Sequence, residues 1–180
     1  DPVGVSGSSY RREKCLELMK IIHPTCIRGN YSEIQALLHN CGTVTGVDAA
    51  EDALAEAEET DLPELMKQYA KENQMILVAS GETDLITDGS CVYRCHNGSP
   101  MMARITGSGC MSTVMLGAFL SAENSVESAV ACCAFTGIAG ELAAKEMTAQ
   151  KRGTMTFRNW FIDAVSLMTP EQLEHGTDVD

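Results

Sequence analysis

The sequence predicts an α/β fold, with helices layered on a mainly parallel central sheet. Three observations predict it. Residues 75–79 form a continuous apolar run closed by Ser80-Gly81, the pattern of a strand buried on both faces. Segments of helical apolar period alternate with short strand-like ones, and 126–147 and 157–168 supply a C-terminal helical layer. At 102–110, Met102, Ala103 and Ile105 lead into the small-residue turn Thr106-Gly107-Ser108-Gly109, followed by a long apolar run without Pro. That reads as a strand, a glycine turn and a helix in immediate succession. No internal repeat, linker or low-complexity stretch interrupts the chain, so residues 1–180 are read as a single domain.

Composition narrows the function classes. With 180 residues, 44% hydrophobic and 21% charged, the chain has enough apolar side chain for a full core. A net charge of −12 argues against a nucleic-acid or anionic-membrane partner, because phosphate backbones are bound by surplus Lys and Arg. A small phosphate ligand needs only a helix N-terminus and one or two cations, so it stays open. The 8 cysteines include no C-x-x-C pair, and the chain opens with no signal-peptide pattern. They are read as reduced, mostly buried and cytoplasmic. Cys91-x-x-x-Cys95-His96 is the one spacing that resembles a metal half-site, and no second half follows. The stretch closest to a membrane span, 126–144, is broken by Glu127 and Glu141 and reads better as a buried helix.

Taken in order, 1–7 reads as a strand end with a Gly/Ser loop, and 10–22 as a helix with Cys15, Leu16, Leu18, Met19 and Ile22 at helical period. His23-Pro24 closes that helix, and 25–28 is a short strand. Asn30 followed by Glu33 has capping-box spacing, and Ile34, Leu37 and Leu38 form the buried stripe of the helix it opens. That helix ends at 40–42, and a second strand is expected at 43–47. The stretch 48–64 is acidic without a basic residue and is read as a solvated face. Pro63 starts a helix to Glu72. Residues 84–86 and 91–95 flank an Asp88-Gly89 turn and read as a hairpin, with Asn97-Gly98 as a further turn.

The glycine turn is the candidate for chemistry. A strand-to-helix junction at Gly107, Ser108, Gly109 and Cys110 points several N–H groups at one spot, at the positive end of a helix dipole. Such a junction cradles a phosphate, and glycine lets the anion approach the backbone. A tight turn followed by a buried cysteine explains the same residues without a ligand, so the rest of the chain has to decide.

Four separated stretches decide it. Asp1-Pro2-Val3-Gly4, Ile27-Arg28-Gly29-Asn30-x-x-Glu33, Ser80-Gly81-Glu82-x-Asp84 and Thr106-Gly107-Ser108-Gly109-Cys110 resemble, in order and spacing, the motif set of the hydroxyethylthiazole kinases. That family is a branch of the ribokinase-like superfamily. The resemblance implies a ribokinase-like three-layer α/β/α sandwich and ATP- and Mg²⁺-dependent phosphorylation of the hydroxyl of 4-methyl-5-(2-hydroxyethyl)thiazole in thiamine salvage. It implies that Asp1 lies near metal and phosphates, that Arg28 and Ser80 contact ATP, and that Asn30 and Glu33 hold Mg²⁺ through water. Gly107 would contact the thiazole, and Cys110 would be the base facing its hydroxyl. Relatives in the superfamily carry Asp where this chain has Cys110, which points to the thiazole branch. A homotrimer is implied as well. So is an N-terminal stretch absent here, with a catalytically incompetent truncated fragment of such a kinase as one alternative. The other alternative is a thiol-nucleophile enzyme pairing Cys110 with His96 or His23, which leaves Arg28, Asn30 and Glu33 without work.

Overall fold

The computed structural model describes residues 1–39 and 62–180. The helix end expected at 40–42, the strand at 43–47 and nearly all of the acidic stretch lie outside the described residues. The chain divides into two compact units, one of residues 1–80 and 87–92, the other of 81–86 and 93–180.

The first unit is built on a parallel strand pair. β1 (Cys26–Asn30) runs beside β2 (Ile76–Ser80) in a register from Cys26 opposite Ile76 to Asn30 opposite Ser80. Ile76, Leu77, Val78 and Ala79 are all buried, as the apolar run predicts. Two helices cover the pair. α2 (Tyr31–Leu38) turns Ile34, Leu37 and Leu38 inward, and α3 (Leu62–Asn73) adds Met66 and Ala70. Burying each large aliphatic side chain contributes roughly 1.5–3 kcal/mol before chain entropy is counted.

α1 (Ser9–Ile22) forms where the apolar period places it. Ser8 caps it by accepting the Arg11 N–H, and His23 ends it at φ 44°. Yet none of its residues is buried, and Ile21 and Ile22 are 74% and 61% exposed. The strand end expected at 1–7 is absent. Gly4 takes φ 76°, and the N–H groups of Val3, Val5 and Gly7 bond back to Asp1, Pro2 and Gly4 oxygens, so the segment folds as consecutive turns.

β3 (Asp84–Thr87) and β4 (Val92–Cys95) are neighbours joined through the turn at Gly89, φ 96°. So short a connection permits only antiparallel strands. In the second unit a helical layer follows: α4 (Ser108–Ala122), α5 (Val126–Ala149), α6 (Thr154–Leu167) and α7 (Pro170–Gly176). α5 is long and apolar enough to cross a membrane by length and composition, but most of its apolar window is buried, the pattern of a core helix. Ala139 and Ala143 of α5 meet Phe157 and Phe161 of α6 in the core.

The strand expected before Gly107 is also absent. Residues Pro100–Arg104 form a 3-10 helix, because Ser99 caps it from an extended conformation and Pro100 starts it. Met101, Met102 and Ile105 instead pack against the α5–α6 core.

Asn97 ties this unit together. Its Nδ2 donates to the Gly176 carbonyl (2.8 Å) and to Glu141 Oε1 (3.2 Å), and its Oδ1 accepts the Asp178 N–H (2.8 Å). The chain end then pairs with β4: Arg94 and Asp180 exchange backbone hydrogen bonds of 2.8 and 3.0 Å. Beneath it Cys95 is fully buried. Burial pushes its thiol up to about 11, against a lowering backbone bond from Asn97 and with Asp84, Asp178 and Glu141 adding to the rise. The folded thiol therefore keeps its proton at a pH where an unfolded one loses it. Stability is intact below the unfolded value and falls as pH climbs toward about 11. We expect the alkaline fall in melting temperature to be shallower for Cys95→Ala than for the parent. Parallel curves would contradict it.

Candidate active-site residues in the two units

In the first unit the expected residues gather at the carboxyl end of the parallel pair, where open α/β sheets hold their ligands. Strand alternation puts Arg28 and Asn30 on one face of β1 and buries Ile27 and Gly29 on the other. Register places Ser80 opposite Asn30, and its hydroxyl donates to the Gly29 carbonyl (3.2 Å).

Asn30 and Glu33 form a complete capping box. Asn30 Oδ1 accepts the Glu33 N–H (2.8 Å), and Glu33 Oε2 accepts the Asn30 N–H (3.0 Å). Glu33 does more than cap. Its Oε1 also accepts the Gly4 N–H (2.8 Å), so one carboxylate joins the opening turns to α2. Gly29 makes room for it, since an added Cβ would lie 3.2 Å from Glu33 Cβ and 3.3 Å from its Oε2.

This donor set fits magnesium only in an outer sphere. Both Glu33 oxygens and Asn30 Oδ1 already accept hydrogen bonds. A carboxylate nonetheless has about four lone-pair sites, enough to hold two N–H groups and two metal-bound waters. Mg²⁺ keeps several waters, so these residues can hold it without a cluster of direct ligands. Among the described residues no group of three or more His, Cys, Asp and Glu side chains is placed to bind a metal directly.

In the second unit the glycine turn opens a helix as expected. Gly107 is the N-cap of α4 at φ 95°, with no side-chain cap and no acidic residue in the first turn. A Cβ on Gly107 would meet nothing within 4 Å, so the space beside the helix start is open. The first-turn N–H groups of a helix have no acceptor within it, and an anion there meets the positive dipole end. Ser108 holds the turn from behind, its hydroxyl donating to the Met102 carbonyl (2.8 Å). Sequence reading missed this latch. Cys110 is exposed in the first turn.

The thiol-enzyme alternative finds less support. Both ring nitrogens of His96 are engaged, Nδ1 with Thr83 Oγ1 (3.3 Å) and Nε2 with Asp180 Oδ1 (3.0 Å). His23 is the C-cap of α1, at φ 44°.

Comparison with known proteins gives these residues a context. A model of the hydroxyethylthiazole kinase family matches residues 1–171. The chain is 39% identical over 173 residues to hydroxyethylthiazole kinase 1 of Methanosphaera stadtmanae, covering 92% of this chain and 61% of that protein. It is 36% identical over 167 residues to the hydroxyethylthiazole kinase of Staphylococcus carnosus, covering 92% of this chain and 60% of that one. The solved structure of a hydroxyethylthiazole kinase from Pyrococcus horikoshii OT3 superposes on all of this chain and 63% of its own, with a TM-score of 0.81 and 25% identity. The chain thus spans about three fifths of the length of these relatives. The span matched by the family model takes in the opening turns, the capping box, the β2 end and the glycine turn, and with that match over 1–171 the chain belongs to the hydroxyethylthiazole kinase family.

Proposed function

We propose that this chain serves ATP-dependent phosphorylation of the hydroxyl of 4-methyl-5-(2-hydroxyethyl)thiazole, a step of thiamine salvage. The observation that carries the reading is the carboxyl end of the β1–β2 pair. There Arg28, Asn30, Glu33 and Ser80 collect beside a capped helix N-terminus. Family membership over residues 1–171 supports reading the collection as part of a kinase site.

Phosphoryl transfer asks a protein mainly for positioning and for neutralising charge on the moving group. When bound, Mg²⁺ would supply divalent charge against that of the phosphates. Asn30, Glu33 and Asp1 would hold it through its waters. Arg28 offers the ATP phosphates a guanidinium that never deprotonates. Ser80 already donates to Gly29, so toward ATP it accepts a hydrogen bond or releases that carbonyl. In the second unit Gly107 contacts the thiazole, and the Gly107, Ser108, Gly109 and Cys110 N–H groups receive the transferred oxygens. Cys110 takes or orients the proton of the attacking hydroxyl. On this reading the chain works in the cytoplasm as one kinase domain and assembles as a homotrimer, with ATP, the thiazole alcohol and Mg²⁺ as small partners.

The test is ATP-dependent formation of the thiazole phosphate by the parent, Arg28→Ala and Glu33→Gln. Each variant is expected to lose about 10–100-fold in turnover at limiting Mg²⁺, Glu33→Gln because a group that acts through the metal's waters is altered and Arg28→Ala because a charge-assisted bond to phosphate is lost. Glu33→Gln also loses one acceptor for the Gly4 or Asn30 N–H, so a small fall in melting temperature accompanies it. Parent-like turnover in either variant sinks its assignment.

A further inference from the structure

We propose that Arg11 and Arg12 are positioning residues that clamp the 1–7 turns to the first turn of α1, beside the Glu33 bond from α2, and so fix the Asp1 side of the magnesium–phosphate site. The proposal rests on the kinase reading above. Neither guanidinium is placed there by packing, since α1 buries no residue at all. Instead both reach back to main-chain carbonyls of the same seven residues. Arg11 Nη1 donates to the Val3 carbonyl (3.2 Å), and Arg12 Nε donates to the Val5 carbonyl (3.1 Å). Between them the Gly4 N–H donates to Glu33 Oε1 (2.8 Å). Three consecutive residues are thus held from two helices, by two cations and one carboxylate.

Gly4 is built for this arrangement. It sits at φ 76°, and a Cβ there would lie 2.8 Å from Arg11 Nη1, so only glycine lets the guanidinium lie against the turn. Val5 beyond it is fully buried, which anchors the far end. At the near end the Val3 N–H donates to the Asp1 carbonyl (2.9 Å), so holding Val3 also holds Asp1. Arginine suits the task because its charge persists at every working pH and its rigid fork loses little freedom per hydrogen bond. The cationic pair also offsets the cost of bringing Asp1, Glu33 and phosphates to one end of the unit. The first turn of α1 therefore acts as a clamp, which explains a helix with so little core.

The experiment compares the parent with the double variant Arg11→Ala/Arg12→Ala and with Arg11→Lys/Arg12→Lys. Hydrogen exchange is read over residues 1–8 and over α2, and binding of Mg·ATP and of ATP in chelator is read by calorimetry. The Ala pair is expected to exchange the opening amides about tenfold faster with α2 unchanged, and to weaken Mg·ATP about tenfold while leaving metal-free ATP as in the parent. The Lys pair is expected to recover most of both, since a charged donor returns. Should the Ala pair lose its fold, Arg11→Ala and Arg12→Ala singly give the same comparison. Parent-like exchange over 1–8 overturns the proposal, and so does faster exchange with unaltered Mg·ATP binding. A parent that binds Mg·ATP but forms no thiazole phosphate defeats the kinase reading alone, and the clamp is still decided by exchange and binding.

Discussion

Gly137→Ala is expected to destabilise the second unit by about 3 kcal/mol, close to the limit a single methyl can impose. A Cβ at Gly137 would lie 2.5 Å from the Asn97 carbonyl carbon, its oxygen and its Cβ. Backbone has to move, and Asn97 has nowhere to go. Its side chain is bound to Gly176 and Asp178, and Glu141 holds both its Nδ2 and the next N–H, of Gly98 (2.8 Å). Retreat gives up one or two of these bonds, at about 1 kcal/mol each, on top of an overpacking strain of about 1–3 kcal/mol. Gly117 of α4 is the control, since a Cβ there meets nothing within 4 Å. Gly117→Ala is expected to stabilise by about 0.4–1 kcal/mol, through helix propensity and a less free unfolded chain. Urea midpoints of the two variants against the parent test the pair. Equal midpoints for Gly137→Ala and the parent would refute the close crossing of Asn97 over α5.

The residues in that crossing show where sequence reading stops. Asn97-Gly98 reads as a turn and is one, but the partners that make Asn97 a hub lie 44 to 81 residues away. Nothing local encodes them. The pairing of Asp180 with Arg94 is of the same kind. The capping box at Asn30 and Glu33 is legible because both halves of it lie within one helical turn. The β2 run is legible because burial on both faces leaves no polar alternation. α7 could have been found, since Thr169-Pro170-x-Gln172 carries its own capping box. The strand expected at 102–105 fails for a nearer reason: Ser99-Pro100 is a helix start, and it outweighs the apolar residues that follow. Among the candidate residues, the Asn30–Glu33 pairing is legible from its spacing, but the further hold of Glu33 on Gly4 is not, because that bond spans 29 residues.

The largest expected effect on chemistry falls at Cys110. It sits in the first turn of α4, exposed, behind the open space at Gly107. In a kinase it only has to receive or orient one proton, while the glycine turn and Mg²⁺ carry most of the charge stabilisation. An ionised carboxylate does the same work at neutral pH, and the helix dipole and metal offset its charge. Removing the group altogether costs what a general base contributes, about 10²-fold or more. In a thiol enzyme a covalent intermediate forms on sulfur, and Asp cannot replace a thiolate.

The most direct test is ATP-dependent formation of the thiazole phosphate by the parent, Cys110→Asp and Cys110→Ala, with mass spectrometry of the parent after turnover. The kinase account predicts phosphate from the parent and from Cys110→Asp, a slower Cys110→Ala, and a parent mass without adduct. An inactive Cys110→Asp together with a substrate adduct on Cys110 would contradict it.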